Sequence, residues 1–137
     1  MMPDSTTPIL VVGLGCQRGC DVDTLLALFH TALDAEGIDP RRINALASIE
    51  HKRDEPGLLA LANVLRLPLQ FFAAEQLAVY DTRLSHRSAL AFTHTGCHGI
   101  AESAALALAE QLSGCPARLL ITRQKKLQAT FALAYAG

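Results

Sequence analysis

Along the chain, apolar residues first form an unbroken run and then recur at intervals of three and four. Residues 8–15, PILVVGLG, are continuously apolar and end in glycines, the pattern of a strand buried on both faces. The next stretch, DVDTLLALFHTALDAEG, sets Leu25, Leu26, Phe29, Ala32 and Leu33 at helical spacing. Asp21 is suited to cap the start of this helix and Gly37 to stop it. Residues 43–48, within PRRINALASIE, read as a second strand. DEPGLLALANVLRL reads as a second helix, with Pro56 tolerated in its first turn, and PLQFFA as a third strand. SHRSALAFTHTG fits either a strand or a short helix between Ser85 and Gly96. GIAESAALALAEQLSG is a helix rich in Ala and Leu that ends at Gly114. The final stretch, ARLLITRQKKLQATFALAYA, reads as two strands around the polar turn RQKK. In the second of these, Leu127, Ala129, Phe131, Leu133 and Tyr135 alternate with other residues, as in a strand packed mainly on one face.

Strands alternate with helices and the chain closes on a hairpin. The expected architecture is α/β, a three-layer α/β/α arrangement around a mostly parallel mixed sheet of about five strands with a C-terminal antiparallel strand. No repeat and no linker interrupts it, so residues 8–137 read as one domain behind a disordered tail over residues 1–7.

Half of the residues are apolar, enough for one well-filled core. The formal net charge of −1 argues against a general nucleic-acid binder. The absence of Trp and the scarcity of aromatics disfavour stacking platforms for single strands. The start MMPDSTTP has neither the basic residues nor the apolar core of a secretory signal, and stretches such as SAALALA are too short to span a membrane. A cytoplasmic location with reduced thiols follows as the expectation. Cys16 and Cys20 stand four apart with no second close pair, which matches neither structural zinc spacing nor C-x-x-C redox spacing. His94, Cys97 and His98 could hold a metal, yet equally fit as small and polar fillers at a helix start. No metal and no cofactor is expected.

In a parallel sheet the loops that follow the strands share one edge, and ligands bind there. The unusual polar residues fall in those loops. Arg18 follows the first strand, Lys52 and Arg53 the second, and Arg123, Lys125 and Lys126 the fourth. If the fourth strand is parallel to the others, all three groups reach one edge. THTGCHG, with Thr95, Gly96 and Cys97, sits at the start of the third long helix, where free N–H groups favour an anion. The pattern predicts a cationic, donor-rich rim facing a common hollow. The plainer alternative is that these loops are simply polar and solvated. GLGCQRG has one residue more than the dinucleotide fingerprint, with a poorly matched acidic ribose partner, and no G-K-[ST] follows as in a Walker loop. Its glycines suit close approach of the backbone to a ligand or a helix. Glu102, in the first turns of its helix, is favoured there by the helix dipole and is also placed to act as a general base. Glu55, beside a helix start, is a cap or an acid–base group.

Five stretches taken together are similar to a known family. They are VVGLGCQRGCDVDTL, INALASIEHKRDEPGLLALA, PLQFFAAEQL, GIAESAALALA and LLITRQKKLQATFALA. In this order they resemble the cobalamin-biosynthesis family of CobE and the C-terminal domain of CbiG, from about Ile9 to Ala136. The motif positions that match are Gly13, Gly15, Cys16, Arg18, Gly19, Ser48, Lys52, Glu55, Gly96, Glu102, Lys125 and Thr130. The resemblance implies a role in building the corrin ring. CbiG opens the ring-A lactone of cobalt-precorrin-5A and releases acetaldehyde, and CbiG-type members carry this domain behind further segments. The chain looks like the stand-alone form, so whether it catalyses anything stays open. The expected ligand is a carboxylate-rich precorrin or corrinoid, with other corrin-pathway enzymes as further partners and neither nucleic acid nor membrane. The expected ligand-binding residues are Gly15, Cys16, Arg18, Gly19, Ser48, Lys52, Arg53, Thr95, Gly96, Cys97, Arg123, Lys125 and Lys126. Glu102 and Glu55 are the candidates for proton transfer. Alternative functions are hydrolase-like lactone opening and a non-catalytic accessory subunit.

Overall fold

A computed structural model describes residues 8–85 and 99–137. The expected tail over residues 1–7, and most of SHRSALAFTHTG with His94, Thr95, Gly96, Cys97 and His98, lie outside the described residues. The strands are β1 (Ile9–Cys16), β2 (Ala45–Ile49), β3 (Leu69–Phe72), β4 (Ala117–Lys126) and β5 (Ala129–Ala136). The helices are α1 (Val22–Ala35), α2 (Pro56–Leu65), α3 (Ala74–Ala78) and α4 (Ile100–Ser113). The sheet order is β3-β2-β1-β5-β4. β1, β2 and β3 are parallel neighbours, and β5 is antiparallel to both β1 and β4. β4 therefore runs parallel to β1, and the sheet is parallel apart from β5, as the α/β pattern predicts.

Alternation along β1 divides the core in two. Leu10, Val12, Leu14 and Cys16 point toward α1 and α2, where they meet Leu25, Phe29, Leu33, Leu58 and Leu61. Val11 points the other way, toward Ala104, Ala105, Leu108 and the Leu77 side chain of α3. The helices thus cover both faces, three layers in all. The ends of α1 follow local chemistry: Asp21 Oδ1 accepts from the Thr24 N–H at 2.8 Å, and Gly37 takes φ +68° just beyond the last turn. Leu28 rather than Leu26 completes its buried stripe.

The C-terminal hairpin departs from expectation in two ways. RQKK is not the turn. Arg123 to Lys126 are the end of β4, and the chain reverses at Leu127 and Gln128, with Leu127 exposed at φ +52°. The ten residues of β4 face the eight of β5 through two register shifts, so bulges absorb the excess. β5 is also packed on both faces rather than one. Ala129, Phe131 and Leu133 enter the α1/α2 core, while Ala134 and Ala136 enter the α4 core. Its place between β1 and β4 leaves neither edge free, and helices on both sides of the sheet cover its two faces. α3 was not anticipated, since five residues are too few to show a helical period.

α4 lies against β1 at very short range. A Cβ on Gly13 would stand 1.8 Å from the Ala101 carbonyl oxygen and 2.7 Å from the Ala105 nitrogen. At the first residue of the helix, Ile100 Cβ lies 3.7 Å from where a Gly15 Cβ would be. The helix therefore runs antiparallel to β1, with its N-terminus at the C-terminal end of the strand. Among the described residues no helix is long and apolar enough to cross a membrane.

Candidate functional site

The connections after β1 and β2 cross one face of the sheet through α1 and α2, whereas the chain reaches β4 through α4 on the other face. The winding direction reverses at β1. Such a switch point opens a crevice beyond the C-terminal ends of the strands. Here the loops after β1 and β2, the first turn of α4 and the β4–β5 turn all lie at that edge.

The loop after β1 is built by its backbone. The Cys20 N–H donates to the Gln17 carbonyl at 3.1 Å, and Gly19 takes φ +82°, a conformation open to glycine and costly for other residues. On one side the Gln17 N–H donates to the Gln128 carbonyl at 2.9 Å, joining the loop to the β4–β5 turn. On the other, the Gly19 N–H donates to Glu55 Oε2 at 3.0 Å, joining it to the segment after β2. Three of its N–H groups are thus committed within the protein, Gly19 among them, and what the loop presents outward is the exposed Arg18. Sequence reasoning did not single out Gln17 and Gln128. Nothing local marks an ordinary polar loop residue as a bridge.

Two other expected ligand residues are turned inward. Ser48 is buried and its hydroxyl donates to the Leu14 carbonyl at 2.7 Å, just past the last β1–β2 pair. Cys16 belongs to the α1/α2 core. Burial, reinforced by the neighbouring Cys20 and Glu55 and opposed by Lys52, pushes its thiol up to about 12. Burial likewise raises Cys20. Neither is a ready thiolate, and among the described residues no cluster of three or more His, Cys, Asp or Glu is placed to hold a metal.

Glu102 is almost fully buried. Its Oε1 accepts from the Ser85 N–H at 2.8 Å, and its Oε2 accepts from the Arg123 N–H at 2.8 Å and from the Ser85 hydroxyl. Glu55 is 9 % exposed and immediately precedes α2. Both carboxylates are therefore held against backbone donors of the rim.

The cations share the edge but not one hollow. Arg18 lines a cleft of 730 Å³ beside His51, Asp21, Asp54 and Glu55, between the starts of α1 and α2. Lys125 and Lys126 line a second cleft, of 360 Å³, with Leu28, Glu36 and Ile121. Because α1 begins directly after the loop, it stands between the two. Lys52 is half-buried near Cys16, and Arg53 and Arg123 complete the rim. Of the three carboxylates around Arg18, Asp21 is legible in the sequence as a cap and Glu55 as a cap or an acid–base group, while their convergence with Asp54 requires the folded loops.

Comparison with known proteins agrees with this architecture. The family described as "Cobalamin synthesis G C-terminus" matches residues 10–134. The chain is 38 % identical over 125 residues to Protein CobE of Sinorhizobium sp., covering 91 % of this chain and 79 % of that one. It is 36 % identical over 72 residues to the cobalt-precorrin-5A hydrolase of Salmonella typhimurium, covering 53 % of this chain but only 20 % of the hydrolase. A crystal structure of CobE, described as a protein of the cobalamin (vitamin B12) biosynthetic pathway, superposes with a TM-score of 0.91 at 45 % identity, covering 95 % of this chain and 92 % of that one. The chain thus belongs to the cobalamin-synthesis G C-terminal family and is a cobalamin-biosynthesis protein of the CobE/CbiG type.

Proposed function

We propose that the chain binds a carboxylate-rich precorrin or corrinoid intermediate at the C-terminal edge of its sheet. The observation that carries this is the pair of bonds from the β1 loop, Gln17 to Gln128 and Gly19 to Glu55, which draw three cation-bearing segments side by side. A corrinoid is a flat ring fringed by acetate and propionate groups. A broad rim with separate cations suits it better than one deep charged pocket. Arg18 and Arg123 offer a planar fork to a carboxylate, and Lys52, Lys125 and Lys126 offer mobile point charges. Each charge-assisted bond contributes about 1.5–3 kcal/mol where water is excluded and less where it is not. Three or four of them, with the apolar ring face, correspond to micromolar affinity, about 8 kcal/mol net of the costs of association.

Titration with hydrogenobyrinic acid, followed by its visible absorption, tests this. The expected result is a saturable spectral shift, with Arg18→Ala weakening binding about tenfold. An unchanged ligand spectrum at about 0.1 mM protein, well above a micromolar Kd, would overturn the reading. The likeness to the Salmonella hydrolase favours a second reading, lactone opening on the ring, with Glu55 or Glu102 moving the proton. Incubation with cobalt-precorrin-5A separates the two: released acetaldehyde marks catalysis, and an unchanged but bound ligand marks a carrier.

A further inference from the structure

We propose that Glu55 and Glu102 are positioning residues, each clasping the backbone of one cation-bearing segment so that the two segments present their charges at a fixed spacing. The functional part of this rests on the binding reading above; the clasps themselves do not. Glu55 holds the loop that carries Arg18, through the Gly19 N–H, across 36 residues of sequence. Glu102 holds the end of β4 that carries Arg123, through the Arg123 N–H, across 21 residues.

Each clasped N–H lies where regular structure provides no acceptor. Gly19 sits in a left-handed turn beyond the end of β1. Arg123 lies within a register shift of β4, between the pairs Ile121–Leu133 and Gln124–Phe131. A bulge leaves its extra residue out of the ladder, and a donor orphaned near the core carries a penalty unless an acceptor is supplied. An ionised carboxylate is an acceptor only, and a strong one toward a backbone N–H. The Gln17–Gln128 bond then links the two clasped segments to each other. The Arg18 loop is thereby pinned from both sides, and so is the β4 end. A group that transfers protons must instead reach a substrate atom at hydrogen-bonding distance. Glu55 and Glu102 both accept from the protein's own backbone, and Glu102 accepts from the Ser85 hydroxyl as well.

The two clasps differ in a way that makes the idea testable. The contact of Glu55 uses one oxygen, Oε2, and a glutamine can offer its single carbonyl in the same place. Glu102 uses both oxygens, Oε1 toward the Ser85 N–H and Oε2 toward the Arg123 N–H and the Ser85 hydroxyl, and a glutamine can replace only one of the two oxygens.

The experiment measures amide hydrogen exchange at Gly19 and Arg123, and hydrogenobyrinic acid affinity, in wild type, Glu55→Ala, Glu55→Gln, Glu102→Ala and Glu102→Gln, with circular dichroism to confirm folding. Glu55→Ala is expected to speed Gly19 exchange and weaken binding by about tenfold each, and Glu55→Gln to recover both to within about threefold of wild type. Glu102→Gln is expected to fall between Glu102→Ala and wild type at Arg123. If Glu55→Gln binds as poorly as Glu55→Ala while Gly19 stays protected, the charge or the proton matters rather than the clasp, and the proposal is wrong. Unchanged Gly19 exchange in Glu55→Ala overturns it as well. If the wild type itself fails to bind the corrinoid, the binding reading falls, and the exchange rates still decide the clasps. Should Glu102→Ala not fold, the Glu55 pair and Glu102→Gln carry the test.

Discussion

A single absent methyl group at Gly13 sets the distance between α4 and the sheet. Its place is taken by the Ala101 carbonyl, which would lie 1.8 Å from a Cβ. Both atoms in the clash belong to backbone or Cβ, so no side-chain rotation relieves it, and the helix must shift. Gly13→Ala is expected to destabilise the fold by about 2–3 kcal/mol, at the upper end of ordinary overpacking, measured as a lower urea midpoint at unchanged slope. The displacement would also move the first turn of α4, and with it Glu102. A glycine inside an apolar strand is a readable sign of close backbone approach. Which element approaches is not written locally. The same holds for Arg18, readable as an exposed cation after a strand, while the acids Asp21, Asp54 and Glu55 around it emerge only when the loops fold. Cys16 and Cys20 lack the C-x-x-C spacing of a redox pair. Burial in the α1/α2 core makes them packing residues.

Among the elements, α4 illustrates how a helix is tied at both ends. At its start Glu102 reaches Ser85 and β4. Near its end Glu110 gathers the segment after α3 and the start of β4: it accepts from the Tyr80 hydroxyl at 2.9 Å, from Arg83 at 3.1 Å and from the Ala117 N–H at 2.9 Å. Arg83 also lies over the Tyr80 ring at 5.2 Å. Partial burial opposes the charge on Glu110, but these hydrogen bonds and the Arg83 charge outweigh it and hold the carboxyl below its ordinary value of 4.5. A lowered folded-state value means that the stabilisation is fully present above pH 4.5 and is lost as pH falls through the folded value. Glu110→Gln should therefore lower Tm at pH 6 by a few degrees and flatten the fall of Tm below pH 4.5, both measured by thermal unfolding across pH. α1, α2 and α4 were legible because two to four turns display a helical period and a capping signal. α3 and the bulges of β4 were not, since a five-residue helix has no period to read and a bulge is a mismatch between two strands rather than a property of one.

At the scale of the whole molecule, a formal charge of −1 conceals a rim of six cations on one edge among the described residues, Arg18, Lys52, Arg53, Arg123, Lys125 and Lys126, interrupted by the carboxylates beside Arg18. A rim that is largely exposed is screened by salt. The affinity for hydrogenobyrinic acid is expected to fall several-fold between about 50 and 500 mM salt, followed by the same absorption titration, as the Debye length shrinks from about 14 to 4 Å. An affinity indifferent to salt would place the ligand's contacts on apolar surface instead. The amino-acid sequence by itself determined the α/β alternation, the caps of α1, the glycine that ends α4, the periods that mark strands and helices, and the list of polar residues that follow strand ends. These are local quantities, set by the period of apolar positions and by the chemistry of a few turn residues. Only the tertiary structure decided the order β3-β2-β1-β5-β4, the two-faced burial of β5, the separation of the cations into two clefts by α1, and the joining of three loops through Gln17, Gly19, Glu55 and Gln128. These depend on which distant segments pair, and the free energy of that pairing comes from packing and hydrogen bonds between residues tens of positions apart, which no local pattern encodes.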